Sequence, residues 1–218
     1  MLRSIRSGPS MLERAALGIG LHLLPAHRAQ IANEQTRMVL LHTRLGTLAA
    51  TAFALMLATL MNTLDSTIAN VALPHIQGSV SAAKDQITWV LTSYIIATAI
   101  MTPLSGWLSQ KFGRKRMFMF SIVGFTLASV LCGIATSLPE IVIYRLLQGI
   151  AGASLMPLSQ ATMLDIWPQH MIPRVMSLWS AAVILGPILG PTLGGWLTET
   201  LDWRWVFFIN VPIGILAF

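Results

Sequence analysis

Hydrophobic residues run through this chain in long stretches separated by short polar breaks. Stretches near 45–73, 86–109, 116–137, 139–165 and 174–198 are each long enough to cross a bilayer as a helix, which takes about 20 mostly apolar residues. A sixth starts near Trp205 and reaches the last residue, Phe218. Its roughly 14 residues, at about 1.5 Å of rise each, fall short of a crossing, so the sequence reads as ending inside a helix, as a fragment does. The pattern predicts an all-α membrane protein. One stretch carries a finer signal. Gly186, Gly190 and Gly194 fall four apart, so on a helix they form one smooth stripe, with Gly195 beside it. Pro187 and Pro191, also four apart, each remove a backbone donor. In a bilayer such a stripe lets a neighbouring helix approach closely, and neighbours can satisfy the freed carbonyls.

Composition agrees with this reading. Of 218 residues, 55% are hydrophobic and 10% charged, against about 25% charged in a soluble domain. The single cysteine, Cys132, lies in an apolar stretch and excludes an intrachain disulfide. A net charge of +6 does not point to nucleic acid here, because the positive residues collect at the edges of apolar stretches. The first 44 residues form a basic extension, with Arg3, Arg6, Arg14, Arg28, Arg37 and Arg44 against Glu13 and Glu34. Within it Ala15 to Leu24 is too short to span. It fits a signal-peptide core or a surface amphipathic helix, and a cytoplasmic tail is the preferred reading.

Charge asymmetry sets orientation. The break after the second stretch holds Lys111, Arg114, Lys115 and Arg116. Breaks of the other parity hold Lys84 with Asp85, then Glu140, then Glu199 and Asp202 with Arg204. The N-terminus is therefore expected on the cytoplasmic side. Trp107 and Trp167 fall near the inner surface, and Trp89, Trp196, Trp203 and Trp205 near the outer one.

Two ionisable residues sit inside the stretches, Asp65 in the first and Arg145 in the fourth. Each costs about 2.5–3.5 kcal/mol at a helix centre, so such groups usually face a bundle interior or a water-filled path. Counted from the outer ends, they lie roughly 14 and 9 Å deep. They are expected to share a level of the membrane and to face one cavity; a structural ion pair or an outward-reaching arginine is the alternative. Asp65 shares a helical face with Ala58, Ala69 and Ala72, beside a second stripe of Thr63, Ser66, Thr67 and Asn70. Arg145, Gln148, Gly149 and Gly152 make one polar, small face on the fourth helix. No metal-ligand spacing, nucleophile elbow or phosphate loop is present, and five scattered histidines do not suggest an enzyme.

Taken in order, these residues resemble the major facilitator superfamily. Gly106-Trp-Leu-Ser-Gln110-Lys111-Phe-Gly113-Arg114-Lys115-Arg116 is similar to its loop motif between spans two and three. Arg145-Leu-Leu-Gln148-Gly149-Ile-Ala-Gly152 is similar to its fourth-span motif, and Gly186-Pro187 through Gly195 to its fifth-span antiporter motif. Leu64-Asp65-Ser66 through Asn70 to Pro74, together with Trp203 to Gly214, resembles the fourteen-span drug:proton antiporters of the EmrB/QacA type.

That resemblance implies the N-terminal six-helix bundle of a major facilitator fold with its sixth helix truncated, built as residues 45–218 behind the 1–44 extension. It implies proton-coupled efflux of drugs or small amphipathic compounds by alternating access, from the inner membrane. Protons are the coupling ion and no cofactor is implied. Asp65 and Arg145 would serve proton coupling. Asn62, Ser66, Asn70, Pro74 and Gln148 belong to the cavity and first-span motif, with Met156 and Met163 as adaptable cavity neighbours. The implied partners are a small-molecule substrate, the lipid bilayer, a matching C-terminal half and, in some members, a periplasmic adaptor. One position departs from the pattern: Gln110 stands where the loop motif usually has an acid, and Asp165 is a candidate replacement partner for Lys111 or Arg114. An uptake symporter of the same superfamily and a truncated remnant that transports nothing are the competing readings.

Overall fold

Apolar segments in lipid must satisfy their backbone hydrogen bonds internally, which favours helices. The computed structural model is helical, with no strand among the described residues. It describes the backbone from residue 11 and side chains from residue 45. The expectation for the basic 1–44 extension rests on side chains that lie outside the described residues. Two units divide the chain, Met1–Thr47 and Leu48–Phe218, and the second holds the bundle.

The helices are α1 (Met11–Ser79), α2 (Trp89–Phe112), α3 (Arg114–Ile134), α4 (Leu138–Gly152), α5 (Leu155–Ile166), α6 (Ile172–Thr200), α7 (Trp205–Phe208) and α8 (Asn210–Ala217). Among the described residues, five segments are long and apolar enough to cross a membrane: Leu45–Ser79, Trp89–Phe112, Arg114–Ile134, Leu138–Ile166 and Ile172–Thr200. Trp205–Ala217 is a shorter apolar helical segment.

Prolines explain where the helices differ from the sequence pattern. The first helix does not stop near Pro74 but continues to Ser79, because Ile76 beyond it is fully buried and anchors the extra turn. The fourth span is two helices, α4 and α5, interrupted at Ala153–Ser154. Pro157 lacks the N–H that would bond the Ala153 carbonyl, and it sits in the first turn of α5, where proline is tolerated. Pro212 likewise lacks the N–H that would bond the Phe208 carbonyl where α7 gives way to α8. In α6, by contrast, Pro187 and Pro191 lie on the exposed side of an unbroken helix.

The small stripe of α6 faces α1. Gly186, Gly190 and Gly194 are buried, and a methyl group added at them would collide in turn with Thr63, Thr67 and Ile68. Thr67 Oγ1 donates to the Gly186 carbonyl across this seam at 3.2 Å. The same device joins α4 to α2, where a Cβ at Gly149 would stand 2.6 Å from the Tyr94 carbonyl. Between α2 and α3 a single residue makes the turn. Gly113 adopts φ 88°, a left-handed value that side-chain-bearing residues rarely accept.

Two apolar clusters fill the bundle. One gathers Leu55, Met61, Phe118, Phe125, Met163 and Trp179; the other gathers Leu64, Ile68, Ile76, Val90, Ile141 and Phe207. Met163 is thus core packing, with Met156 packed against that cluster. Large apolar side chains such as Phe120, Leu127, Ile143, Ile184 and Trp196 stand exposed on the bundle, as a lipid-facing rim requires.

Replacing Gly190 with valine is expected to lower stability by about 1–3 kcal/mol or more, because Thr67 cannot retreat without its helix. Gly195→Ala, with open space around it, is the matched control. Thermal denaturation of both variants in detergent checks this; equal melting would show that the seam is loose.

Candidate functional site

Every charge inside an apolar bundle needs a partner, and the structure gives Asp65 and Arg145 to each other. Asp65 is carried by the alanine face of α1, where Ala58, Ala69 and Ala72 are fully buried. Arg145 comes from the polar face of α4 and is the largest fully buried side chain described. Its Nη1 donates to Asp65 Oδ2 at 2.7 Å, and neither side chain has exposed surface.

Around this pair the donors converge on the carboxylate. Gln148 Nε2 donates to Asp65 Oδ1 at 2.9 Å, and Asn210 Nδ2 donates to the same oxygen at 2.7 Å. Arg145 Nη1 also donates to Gln148 Oε1 at 2.7 Å, while Arg145 Nε donates to the Val90 carbonyl at 3.3 Å. Asn210 Nδ2 further donates to Ser129 Oγ, which itself donates to the Phe207 carbonyl at 2.9 Å. The guanidinium lies 4.5 Å from the Tyr94 ring centre and 5.5 Å from that of Phe207. Aromatic faces at these distances attract a desolvated cation. They compensate for Arg145 Nη2, which has no hydrogen-bond partner.

The two charges therefore meet directly rather than across a shared hollow. Gln148, Asn210, Tyr94 and Phe207 occupy the space where a cavity was expected, so Gln148 is a sealed ligand of the pair and not a cavity wall. The other first-span candidates lie outside the cluster. Half-buried Asn62 donates to Tyr94 Oη at 3.2 Å and so braces the ring beneath Arg145. Ser66 and Asn70 bond backbone carbonyls of α1, and Pro74 is exposed.

Gly106, Gln110, Lys111, Gly113, Arg114, Lys115 and Arg116 are all exposed around the α2–α3 turn. Arg114 pairs with Asp165 at the end of α5. Lys111 instead lies over the Trp107 and Phe112 rings, at 5.1 and 5.8 Å. Gly186, Gly190 and Gly194 form the α1–α6 seam, while Pro187 and Pro191 point away from it and Gly195 meets nothing within 4 Å.

Sequence reasoning did not single out Asn210, Ser129 or Tyr94 as site residues. Asn210 had a signal, being an amide in an apolar stretch where an unpartnered polar group is costly. A second buried knot was equally hidden: Trp179 Nε1 lies 3.1 Å from both Thr59 Oγ1 and Ser159 Oγ, tying α6 to α1 and α5.

Comparison with known proteins bears on this geometry. The Major Facilitator Superfamily sequence model matches residues 55–218. The multidrug export protein EmrB of Haemophilus influenzae is 46% identical over 78% of this chain and 33% of its own length. The fatty acid resistance protein FarB of Neisseria gonorrhoeae is 44% identical over 78% of this chain and 34% of its own. The chain thus spans about a third of the length of these curated relatives. Among solved structures, the proton:xylose symporter XylE aligns with a TM-score of 0.69 at 20% identity, covering 78% of this chain and 43% of that one. A bacterial homologue of the lysosomal transporter Spinster aligns at 0.66 and 21%, covering 78% and 41%. At such identities these two likenesses establish the fold alone.

Removing one member of the buried pair leaves the other charge stranded. Asp65→Ala and Arg145→Ala are each expected to cost about 3–5 kcal/mol, with the double variant losing clearly less than their sum. A double-mutant cycle of denaturation in detergent checks this; strict additivity would mean that the pair is not coupled. Asp165→Asn breaks an ion pair whose side chains are about half exposed, so its expected cost is at most about 1 kcal/mol in the same assay.

Proposed function

The chain belongs to the major facilitator superfamily, and on that footing we propose that it is the first helical bundle of a proton-coupled exporter of drugs or other small amphipathic compounds. The observation that carries this reading is the sealed Asp65–Arg145 pair. In general, desolvation disfavours a carboxylate and an adjacent cation favours it. A carboxylate set between those opposing effects changes its proton when water reaches it or the cation moves away. Alternating access supplies the first of these, because bundles that tilt against each other open a buried site first to one side and then to the other. Arg145 is held by Val90, Gln148 and two aromatic faces, so it stays in place as the counter-charge while Asp65 loses or gains its proton.

Export rather than uptake is supported by the α1–α6 seam. The glycines of the antiporter-like run pack against the helix that carries Asp65, so a shift of α6 acts on α1 directly. At the other end, Arg114–Asp165 is the charge contact available to close the α2–α3 turn over α5. With Gln110 in place of an acid, that latch carries fewer charges than the family pattern implies. Relatives named for multidrug export and fatty acid resistance support an amphipathic substrate. The inner membrane, a cytoplasmic N-terminus, a second bundle and a periplasmic adaptor complete the reading.

A transporter carrying this bundle with its matching second half, placed in vesicles under an imposed pH gradient, provides the test. Asp65→Asn is expected to abolish gradient-driven dye efflux while dye binding persists. Undiminished efflux by Asp65→Asn contradicts the coupling role, and gradient-driven accumulation by the parent protein identifies an uptake symporter. Cysteines placed at Lys115 and Glu199 are expected to label from the cytoplasmic and outer faces respectively, with Cys132 buried and silent. Labelling of both from one side contradicts the orientation.

A further inference from the structure

The donors around Asp65 suit a carboxylate and leave a carboxylic acid with nowhere to put its proton. Oδ2 receives Arg145 Nη1, and Oδ1 receives Gln148 Nε2 and Asn210 Nδ2. All three are N–H donors, and none can accept. A buried O–H left without an acceptor is costly, so protonation of Asp65 requires one neighbour to present an oxygen. Gln148 Oε1 is already engaged, accepting from Arg145 Nη1 at 2.7 Å and from Cys132 Sγ at 3.6 Å. Asn210 Oδ1 is buried and has no partner.

We infer that Asn210 is the positioning residue that reads the charge of Asp65: its side-chain amide makes a half-turn when Asp65 is protonated, exchanging Nδ2 for Oδ1 against the acid. The inference rests on the reading of Asp65 as the proton-carrying group. An amide flip swaps nitrogen and oxygen with almost no change of shape. The carbonyl oxygen then takes the place Nδ2 now holds, 2.7 Å from Asp65 and 2.9 Å from Ser129 Oγ. A proton arriving from a hydronium ion forms the O–H on Asp65 Oδ1 and leaves water, and that O–H donates to Asn210 Oδ1.

The consequence travels one bond further. Ser129 Oγ now accepts from Asn210 and donates to the Phe207 carbonyl. Facing an oxygen instead of an N–H, the hydroxyl can turn its proton to Asn210 and release Phe207. Phe207 stands beside the interruption between α7 and α8 and also covers Arg145. The charge state of the first span is thereby written into the sixth. The other titratable groups facing this cluster are Arg145 from α4, Tyr94 from α2 and Cys132 from α3. From α6 none does, since its charged residues, Arg174 and Glu199, are exposed at its two ends.

The sequence contains only four asparagines, Asn33, Asn62, Asn70 and Asn210, so isotope labelling of asparagine side-chain amides gives a readable magnetic-resonance spectrum. The full chain in lipid nanodiscs is titrated with acid while infrared absorption follows the protonation of Asp65. The expected result is that the Asn210 amide signal, identified by its loss in Asn210→Ala, shifts with the same midpoint as the carboxyl band. Asn62, bonded to Tyr94 and Gly152, is expected to stay put. If Asn210→Ala does not fold, perturbation by Ser129→Ala identifies the signal instead. A carboxyl that titrates while Asn210 stays fixed overturns the inference and leaves the coupling reading standing. A carboxyl that never titrates overturns both.

Discussion

A single buried ion pair fixes what the rest of this bundle must do. Asp65 and Arg145 lie 2.7 Å apart with no exposed surface, in surroundings where an isolated charge is prohibitive. Their attraction alone does not offset removal from water, and a buried pair is stable only when its remaining hydrogen-bonding positions are filled. Gln148, Asn210, the Val90 carbonyl and the Tyr94 and Phe207 rings fill them. Spans one, two, four and six are therefore held in register by one polar knot between two apolar clusters.

Close packing makes that knot possible. The glycine seam draws α6 onto α1, and Gly149 brings α4 within backbone distance of α2. Those approaches bring Asp65 and Arg145 into direct contact without a hole between them. A larger residue at either seam would separate the elements that supply the donors. Burial of the pair and flatness of the helices are thus two sides of one constraint.

Much of this was legible in the residues. Lone charges within apolar stretches identified Asp65 and Arg145, their estimated depths were near enough for contact, and the fourfold spacing of Gly186, Gly190 and Gly194 announced a close neighbour. Which helix it was could not be read, because a stripe of hydrogen atoms names no partner. The expected hollow failed for a related reason: filling it depends on Asn210 and Phe207, distant in sequence and uncharged. Proline effects were only half legible. Pro157 and Pro212 lie beside interruptions, whereas Pro187 and Pro191 lie on the exposed side of an unbroken helix.

The proposed function turns on Asp65 exchanging its proton as substrate binds. Substrate added to the purified two-bundle transporter in weakly buffered detergent tests this most directly, with a pH-indicator dye as the readout. A burst of released protons that vanishes in Asp65→Asn while substrate still binds is the expected result. An equal burst from that variant would contradict it.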